Sequence, residues 1–380
     1  MKKQREIKVS ILASPHPQFD EILDFPPEGV KYKINRIKTS YHGWFTEKKI
    51  ALHGLLLNFL PIPRMTHTKT DKDTDLIHST RGILQIKPNK PWIVDLESGE
   101  IFTSFNWEAM KNPLIKRIII NSLSSKKCKK ILPQSEAANK TFHMAIDCSK
   151  FEDKIEVLYL AMRPCKKKKI KRKDNKIILS FLGKGFYGKG THDLLKAYEI
   201  LIKKYKNLEL KIKGDEFPEK YKNLEKLKGL KLIKGHFSRD KLFDEMYLSS
   251  DIFVLPTHQD NYGVVFLEAM SAGLPIVGTE NMTVSELIED GKNGFLIKSG
   301  YSWENYIPYG KRRKLSEDWS KIHPEIVKQL VEKLSILIEN KKLREKMGKE
   351  SRKMIEDENG KFSISKRNKQ LRKIYEETLK

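Results

Sequence analysis

Between residues 177 and 278, short apolar runs alternate with amphipathic stretches. Residues 177–182 form a continuous apolar run of the kind found in strands buried on both faces. Residues 191–204 follow as a helix, with Leu194, Leu195, Tyr198, Leu201 and Ile202 on one face. Strand-like runs come next at 208–213 and 230–233, separated by a Gly-Asp turn. A helix is expected over about 240–249 and a strand at 252–255. A helix over 267–272 is closed by Gly273 and Pro275, and Ile276-Val277 resumes a strand. This alternation implies an open parallel sheet with helices on both faces. From about Pro324 the tail reads as helical and highly charged.

The first half is less regular. Residues 7–12, 76–78, 92–94 and 130–132 read as strands and 115–123 as a helix, which makes a second doubly wound domain. The 380 residues, 39% of them hydrophobic, suit two domains. The sharpest composition break is the basic run KKKKIKRK at 166–173, just after Pro164. Such a block repels itself, so 166–176 is expected to link an N-terminal domain (1–165) to a C-terminal one (177–362). It reads either as a solvated hinge or as a patch for anionic lipid or nucleic acid. The three cysteines, Cys128, Cys148 and Cys165, have neither disulfide-framework nor metal-ligand spacing, so no metal site is expected and a reducing compartment is. The apolar stretch behind the basic start is too short for a signal peptide. No run of about 18 apolar residues is present to span a membrane. The net charge of +25 favours anionic partners, or reflects a lysine-rich proteome or a hot habitat.

The strand at 177–182 runs into Gly183-Lys184-Gly185-Phe186-Tyr187-Gly188-Lys189-Gly190 and then a helix. Glycines there let backbone N–H groups approach phosphate oxygens, and the two lysines neutralise a diphosphate. Gly183, Gly185 and Gly188 also satisfy G-x-G-x-x-G, but the carboxylate a dinucleotide fold needs comes late, at Asp215 and Glu216. A P-loop is nearly spelled as well, but Gly190 stands where its magnesium-binding hydroxyl belongs, which excludes that reading.

The segment at 254–278, VLPTHQDNYGVVFLEAMSAGLPIVG, separates these readings. A strand ends at Leu255-Pro256, a polar loop carries Asp260, and a helix begins near Gly263. Glu268 lies about two helical turns beyond Asp260. Ligands of open α/β sheets bind beyond the carboxyl ends of the strands. A carboxylate there accepts paired hydrogen bonds from a sugar or ribose diol, and Gly263 lets the helix N-terminus approach a diphosphate.

With Pro256-Thr257, Asp260-Asn261-Tyr262-Gly263, Glu268-Ala269-Met270, Gly273 and Pro275 in register, the segment resembles the retaining GT-B glycosyltransferases of family GT4. Their pattern places two acidic residues with seven residues between them, as Asp260 and Glu268 stand here. Gly183-Lys184, Lys189-Gly190 and Leu194-Leu195-Lys196-Ala197 resemble the family's phosphate loop and following helix, and Glu286-Leu287-Ile288 and Asn293-Gly294 resemble two further pieces. The resemblance covers roughly 177–355. It implies a GT-B α/β fold, with two facing doubly wound domains, an active-site cleft between them, and a C-terminal helix (about 363–380) returning to the first domain. It also implies retaining transfer from a nucleoside-diphosphate sugar, a hexosyltransferase-type activity.

On that resemblance, Gly183, Lys184 and Lys189 bind the donor diphosphate and the lysines stabilise it as leaving group. Glu268 holds the ribose. Asp260, with the backbone of Asn261, Tyr262, Gly263 and Val264, holds the sugar. Phe237 and Arg239, in the loop 235–239, border the base. Neither cofactor nor metal is needed. Two residues depart from the family: Asp260 is a methylene shorter than its Glu, roughly 1.5 Å less reach, and Lys184 replaces an arginine.

The N-terminal resemblance is weaker. Pro91–Glu97 stands where relatives carry a strand ending in His-Asp, so Glu97 is expected to orient or deprotonate an acceptor hydroxyl. Ser14-Pro15-His16-Pro17 replaces the usual glycine-rich loop. Residues 44–65 read either as an amphipathic helix lying on a bilayer or as a core helix. With the positive charge, the expected acceptor is a lipid-linked or cell-surface glycan, reached by a cytoplasmic protein with peripheral contact to the inner, anionic membrane face. Three rivals stay open: sugar transfer to nucleic acid, a non-catalytic carbohydrate- or nucleic-acid-binding protein on the same fold, and a nicotinamide oxidoreductase.

Overall fold

The computed structural model describes residues 5–13, 17–36, 62–258, 260–299 and 319–380. Most of 44–65 and the Ser14–His16 stretch lie outside the described residues. The chain divides into two compact units. The first holds the described residues up to Leu160 together with Ile364–Lys380, and the second holds those between Ala161 and Ser363.

In the first unit the strands are β1 (Ile7–Ala13), β2 (Val30–Arg36), β3 (Met65–Thr66), β4 (Leu76–Ser79), β5 (Leu84–Gln85), β6 (Trp92–Leu96) and β7 (Cys128–Pro133). A parallel sheet runs β2-β1-β4-β6-β7, with β3 and β5 paired separately. Strand β6 is buried along its whole length, its one charged residue, Asp95, included. The helix Pro113–Ser124 starts with Pro113 in its first turn behind the Asn112 cap and buries Ile115, Ile119 and Leu123.

The C-terminal helix Ile364–Thr378 completes this unit. Leu371, Ile374 and Tyr375 pack into the same core as Val9, Ile11, Leu76 and Leu132. The Tyr375 hydroxyl lies 2.7 Å from His78 Nδ1 and 3.0 Å from the Tyr32 hydroxyl. Arg367 donates to the carbonyls of Glu21 and Phe25, and Arg372 to those of Glu28 and Arg5.

In the second unit the strands are β8 (Ile177–Gly183), β9 (Leu208–Gly214), β10 (Leu230–Leu232), β11 (Ile252–Leu255), β12 (Ile276–Thr279) and β13 (Gly294–Ile297). They form one parallel sheet in the order β10-β9-β8-β11-β12-β13. The connections run outward in both directions from β8 and β11, so the topological switch point lies between these two strands.

Two expectations change here. The basic run is held along the second unit. Ile170 N–H donates to the Leu248 carbonyl at 3.0 Å, Lys167 pairs with Asp244, and Lys169 and Arg172 pair with Asp251. The carboxylates of Asp244 and Asp251 relieve the self-repulsion that marks such a run as a hinge. The helix expected at 240–249 is two pieces, a short turn at Arg239–Leu242 and a wider π-wound stretch at Phe243–Leu248 that buries Tyr247. No described helix is long and apolar enough to cross a membrane.

Candidate functional site

Two loops leave the sheet at the switch point, one after β8 and one after β11. The first, Gly183–Gly190, leads into the helix Thr191–Lys204, and the second leads into the helix Val264–Ser271. They are in direct contact. A Cβ on Gly190 would sit 2.0 Å from the Pro256 carbonyl oxygen, and Gly190 has φ +67°. Only glycine meets both conditions, which is the physical reason a glycine stands where a P-loop has its hydroxyl. The Gly188 carbonyl accepts from His258 N–H at 2.9 Å and from the Thr257 hydroxyl at 3.2 Å.

Lys189 and Asp260 meet across these loops, with Nζ 2.6 Å from Oδ2 and both side chains mostly shielded from water. Lys184 is exposed on the first loop. Gly185 N–H donates to the Asp215 carboxylate at 2.5 Å, so this backbone amide is already turned toward an oxyanion. Gly263 has φ +74°, precedes the second helix and lies against Asp260 and Phe266. The loop backbone is fixed from the end of β12 and the turn after it: Thr283 donates to the Asn261 carbonyl at 2.6 Å, Asn281 to that of His258 and Thr279 to that of Thr257. Tyr262 is buried, and Val264 opens the helix.

Glu268 is buried in that helix. Its Oε2 accepts from the Tyr247 hydroxyl at 2.8 Å, and its Oε1 lies 3.9 Å from Arg239 Nε. Burial, and then the Glu268 charge, push the Tyr247 phenol well above its ordinary value, so it stays a donor. Phe237 is in contact with two ammonium groups, with Lys213 Nζ 4.3 Å and Lys241 Nζ 4.5 Å from its ring centre. Burial first, then the neighbouring Lys184 and Lys241, lower the Lys213 ammonium below its usual value. Crowded lysines of this kind favour an anion.

The structure thus joins Lys189 to Asp260, and Glu268 to Arg239. Glu97 belongs to the first unit, where it is buried and accepts from Arg81 Nη2 at 2.9 Å. Burial raises the Glu97 carboxyl, while Arg81 draws it down. Sequence reasoning missed Tyr247 and Lys213. The signal for Lys213 was its place near the end of the strand beside the phosphate loop. Tyr247 had none, because only the π-wound turn brings it to Glu268.

Two parallel α/β units and a phosphate-type loop at the switch point of the second define the GT-B class of fold. Residues 162–311 match the family model "Glycosyl transferases group 1". An uncharacterised glycosyltransferase of Haemophilus influenzae is 33% identical over 193 residues, 50% of this chain and 47% of that protein. The capsular polysaccharide biosynthesis glycosyltransferase CapM of Staphylococcus aureus is 26% identical over 213 residues, 54% of this chain and 48% of that one. The chain thus spans about half the length of these curated relatives. HepE of Anabaena, solved with UDP-glucose, superposes with a TM-score of 0.57 over 97% of this chain and 99% of its own, at 14% identity.

Proposed function

We propose that the protein is a retaining GT4-type glycosyltransferase that moves a hexose from a nucleoside-diphosphate sugar to an acceptor hydroxyl. The observation that carries this reading is the pairing of Lys189 with Asp260 across the two switch-point loops, with Glu268 buried in the helix that follows. The match of this segment to group 1 glycosyl transferases and the UDP-glucose held by HepE support a nucleotide-sugar donor.

The diphosphate lies against the Gly183–Gly190 loop, where Lys184, Lys189 and the loop amides take up its charge. Glu268, oriented by Tyr247, accepts from the ribose hydroxyls. Asp260 and the backbone of Asn261–Val264 hold the sugar. In the transfer the bond from the anomeric carbon to the diphosphate oxygen breaks, a bond to the acceptor oxygen forms, and the acceptor hydroxyl gives its proton to Glu97. Negative charge grows on the leaving diphosphate, where the lysines strengthen their hold. No metal is required for that role. Glu97 is the acceptor-side carboxylate. The acceptor is a lipid-linked or surface glycan, reached by peripheral binding of a cytoplasmic protein to an anionic membrane.

Thermal shift against UDP-, GDP- and ADP-sugars tests the reading. A saturating donor, about 100 times its Kd, should add roughly 2.7 kcal/mol. One nucleotide series should stabilise the chain, and Glu268→Ala should abolish the effect. No response to any series would sink the proposal and favour a non-catalytic binding protein.

A further inference from the structure

Behind the two switch-point loops, four ligand-type side chains from three separate segments converge inside the second unit. His192 and Asp193 open the helix Thr191–Lys204, His258 lies in the β11 loop, and His323 caps the helix Pro324–Glu339. One ligand atom from each lies within 4.8 Å of all the others. His192, Asp193 and His258 are fully buried.

Asp193 Oδ2 is the hub. It lies 2.9 Å from His323 Nδ1, 3.2 Å from His258 Nε2 and 3.6 Å from His192 Nε2. A tetrahedron with zinc–ligand bonds of about 2.0–2.1 Å has edges of about 3.3 Å, and the spacings to His258 and His323 lie close to that length. The outer atoms are held by backbone. His323 N–H donates to Asp193 Oδ1 at 2.8 Å, and His192 Nε2 lies 2.7 Å from the Lys321 carbonyl oxygen. That carbonyl makes Nε2 the protonated nitrogen and leaves Nδ1 with a lone pair. His192 Nδ1 is buried and has no hydrogen-bond partner among the described residues. An imidazole with one nitrogen fixed by a carbonyl and the other bare is how metal-bound histidines are oriented.

We propose that His192, Asp193, His258 and His323 form a structural zinc site. Three imidazoles and a carboxylate make a closed four-ligand set, and burial leaves no open position for substrate. The site ties the start of the helix behind the phosphate loop to the loop carrying Asp260 and to the entry of the helix Pro324–Glu339. It is separate from the sugar-transfer chemistry, which needs no metal, and stands whether or not that reading holds.

The test uses the full chain stripped with a chelator and titrated with cobalt(II), then zinc(II). One equivalent of cobalt should give the intense visible bands of a tetrahedral ion, zinc should displace it, and zinc should raise Tm. His258→Asn and His323→Asn should lose the bands and the Tm shift, weakening binding beyond the roughly 10- to 100-fold that outer-shell partners command. His143→Ala, at the exposed pair with Glu152, should keep both. His323→Cys should keep the site and add a thiolate-to-cobalt charge-transfer band, which decides the matter if an asparagine variant does not fold. A hydrogen-bonded histidine cluster without metal would leave cobalt in its aqueous octahedral spectrum and Tm unmoved by zinc, and that result overturns the proposal. Cobalt bands that survive His258→Asn and His323→Asn overturn it equally.

Discussion

Gly190 and Gly185 both adopt positive φ in the phosphate loop, but their surroundings differ. A Cβ at Gly190 meets the Pro256 carbonyl, whereas one at Gly185 meets nothing within 4 Å. Gly185→Ala should therefore carry only the left-handed backbone cost of about 1–2 kcal/mol. Gly190→Ala adds overpacking and should cost about 2–5 kcal/mol in urea melts. Equal costs would mean that the two loops are not in contact. The polar pairs act differently. Tyr247→Phe leaves one oxygen of a buried carboxylate without its donor, a loss of about 1–3 kcal/mol. Donor affinity should fall roughly 10- to 100-fold on that arithmetic while the fold survives. On the proposed function, Lys189→Ala removes leaving-group stabilisation and leaves Asp260 without that partner, so kcat should fall about 10²–10³-fold. A variant with wild-type kcat would remove Lys189 from the chemistry.

At the scale of elements, β8, β11 and β12 were legible because each is a short apolar run bounded by turn residues, whereas β13 was not read from the sequence. The strands found at 177–183, 252–255 and 276–279 carry almost no polar residue. The Gly183–Gly190 loop and the Asp260–Glu268 segment were legible for a related reason, since their glycines stand at offsets that the left-handed turns at Gly190 and Gly263 require. Strand β2 was missed because it alternates Val30, Tyr32 and Ile34 with polar residues and has an exposed face. The histidine cluster escaped because its members come from three segments far apart in sequence, with no spacing to read. The packing of the C-terminal helix is open to a direct check. Leu371 is fully buried, and Leu371→Ala should cost about 2–5 kcal/mol in a denaturant melt. A cost below about 0.5 kcal/mol would mean that the helix is not docked in solution. Strand β6 delivers Glu97 toward Arg81, and the sign of its pH effect follows from burial. A carboxyl held above its unfolded value binds its proton more tightly in the native state. Its contribution is therefore present at low pH and lost as pH rises through the ordinary carboxylate range to the raised value. Glu97→Gln should flatten that part of the stability curve, and an unchanged slope would show that Glu97 does not titrate there.

For the whole molecule, the net charge of +25 is a statement about partners rather than about fold. The basic run shows how that charge is arranged. Lys167, Lys169 and Arg172 are engaged by Asp240, Asp244 and Asp251, whereas Lys166, Lys168, Lys171 and Lys173 are exposed. One subset anchors the segment and the other faces solvent, so the exposed four can be changed without loosening the anchor. Near an anionic bilayer each lysine is worth on the order of 1 kcal/mol. Replacing Lys166, Lys168, Lys171 and Lys173 by glutamine should then weaken binding to phosphatidylserine vesicles by up to roughly a thousandfold at low salt. The unaltered chain should lose vesicle binding as salt shortens the Debye length to about 8 Å and below. Donor-induced thermal shift should be the same in both proteins, because none of the four lies in the two switch-point loops proposed to hold the donor. If the substituted chain binds vesicles as well as the parent does, this run is not the membrane-facing surface. If it instead loses affinity for duplex nucleic acid and neither protein binds vesicles, the acceptor belongs to the nucleic-acid class.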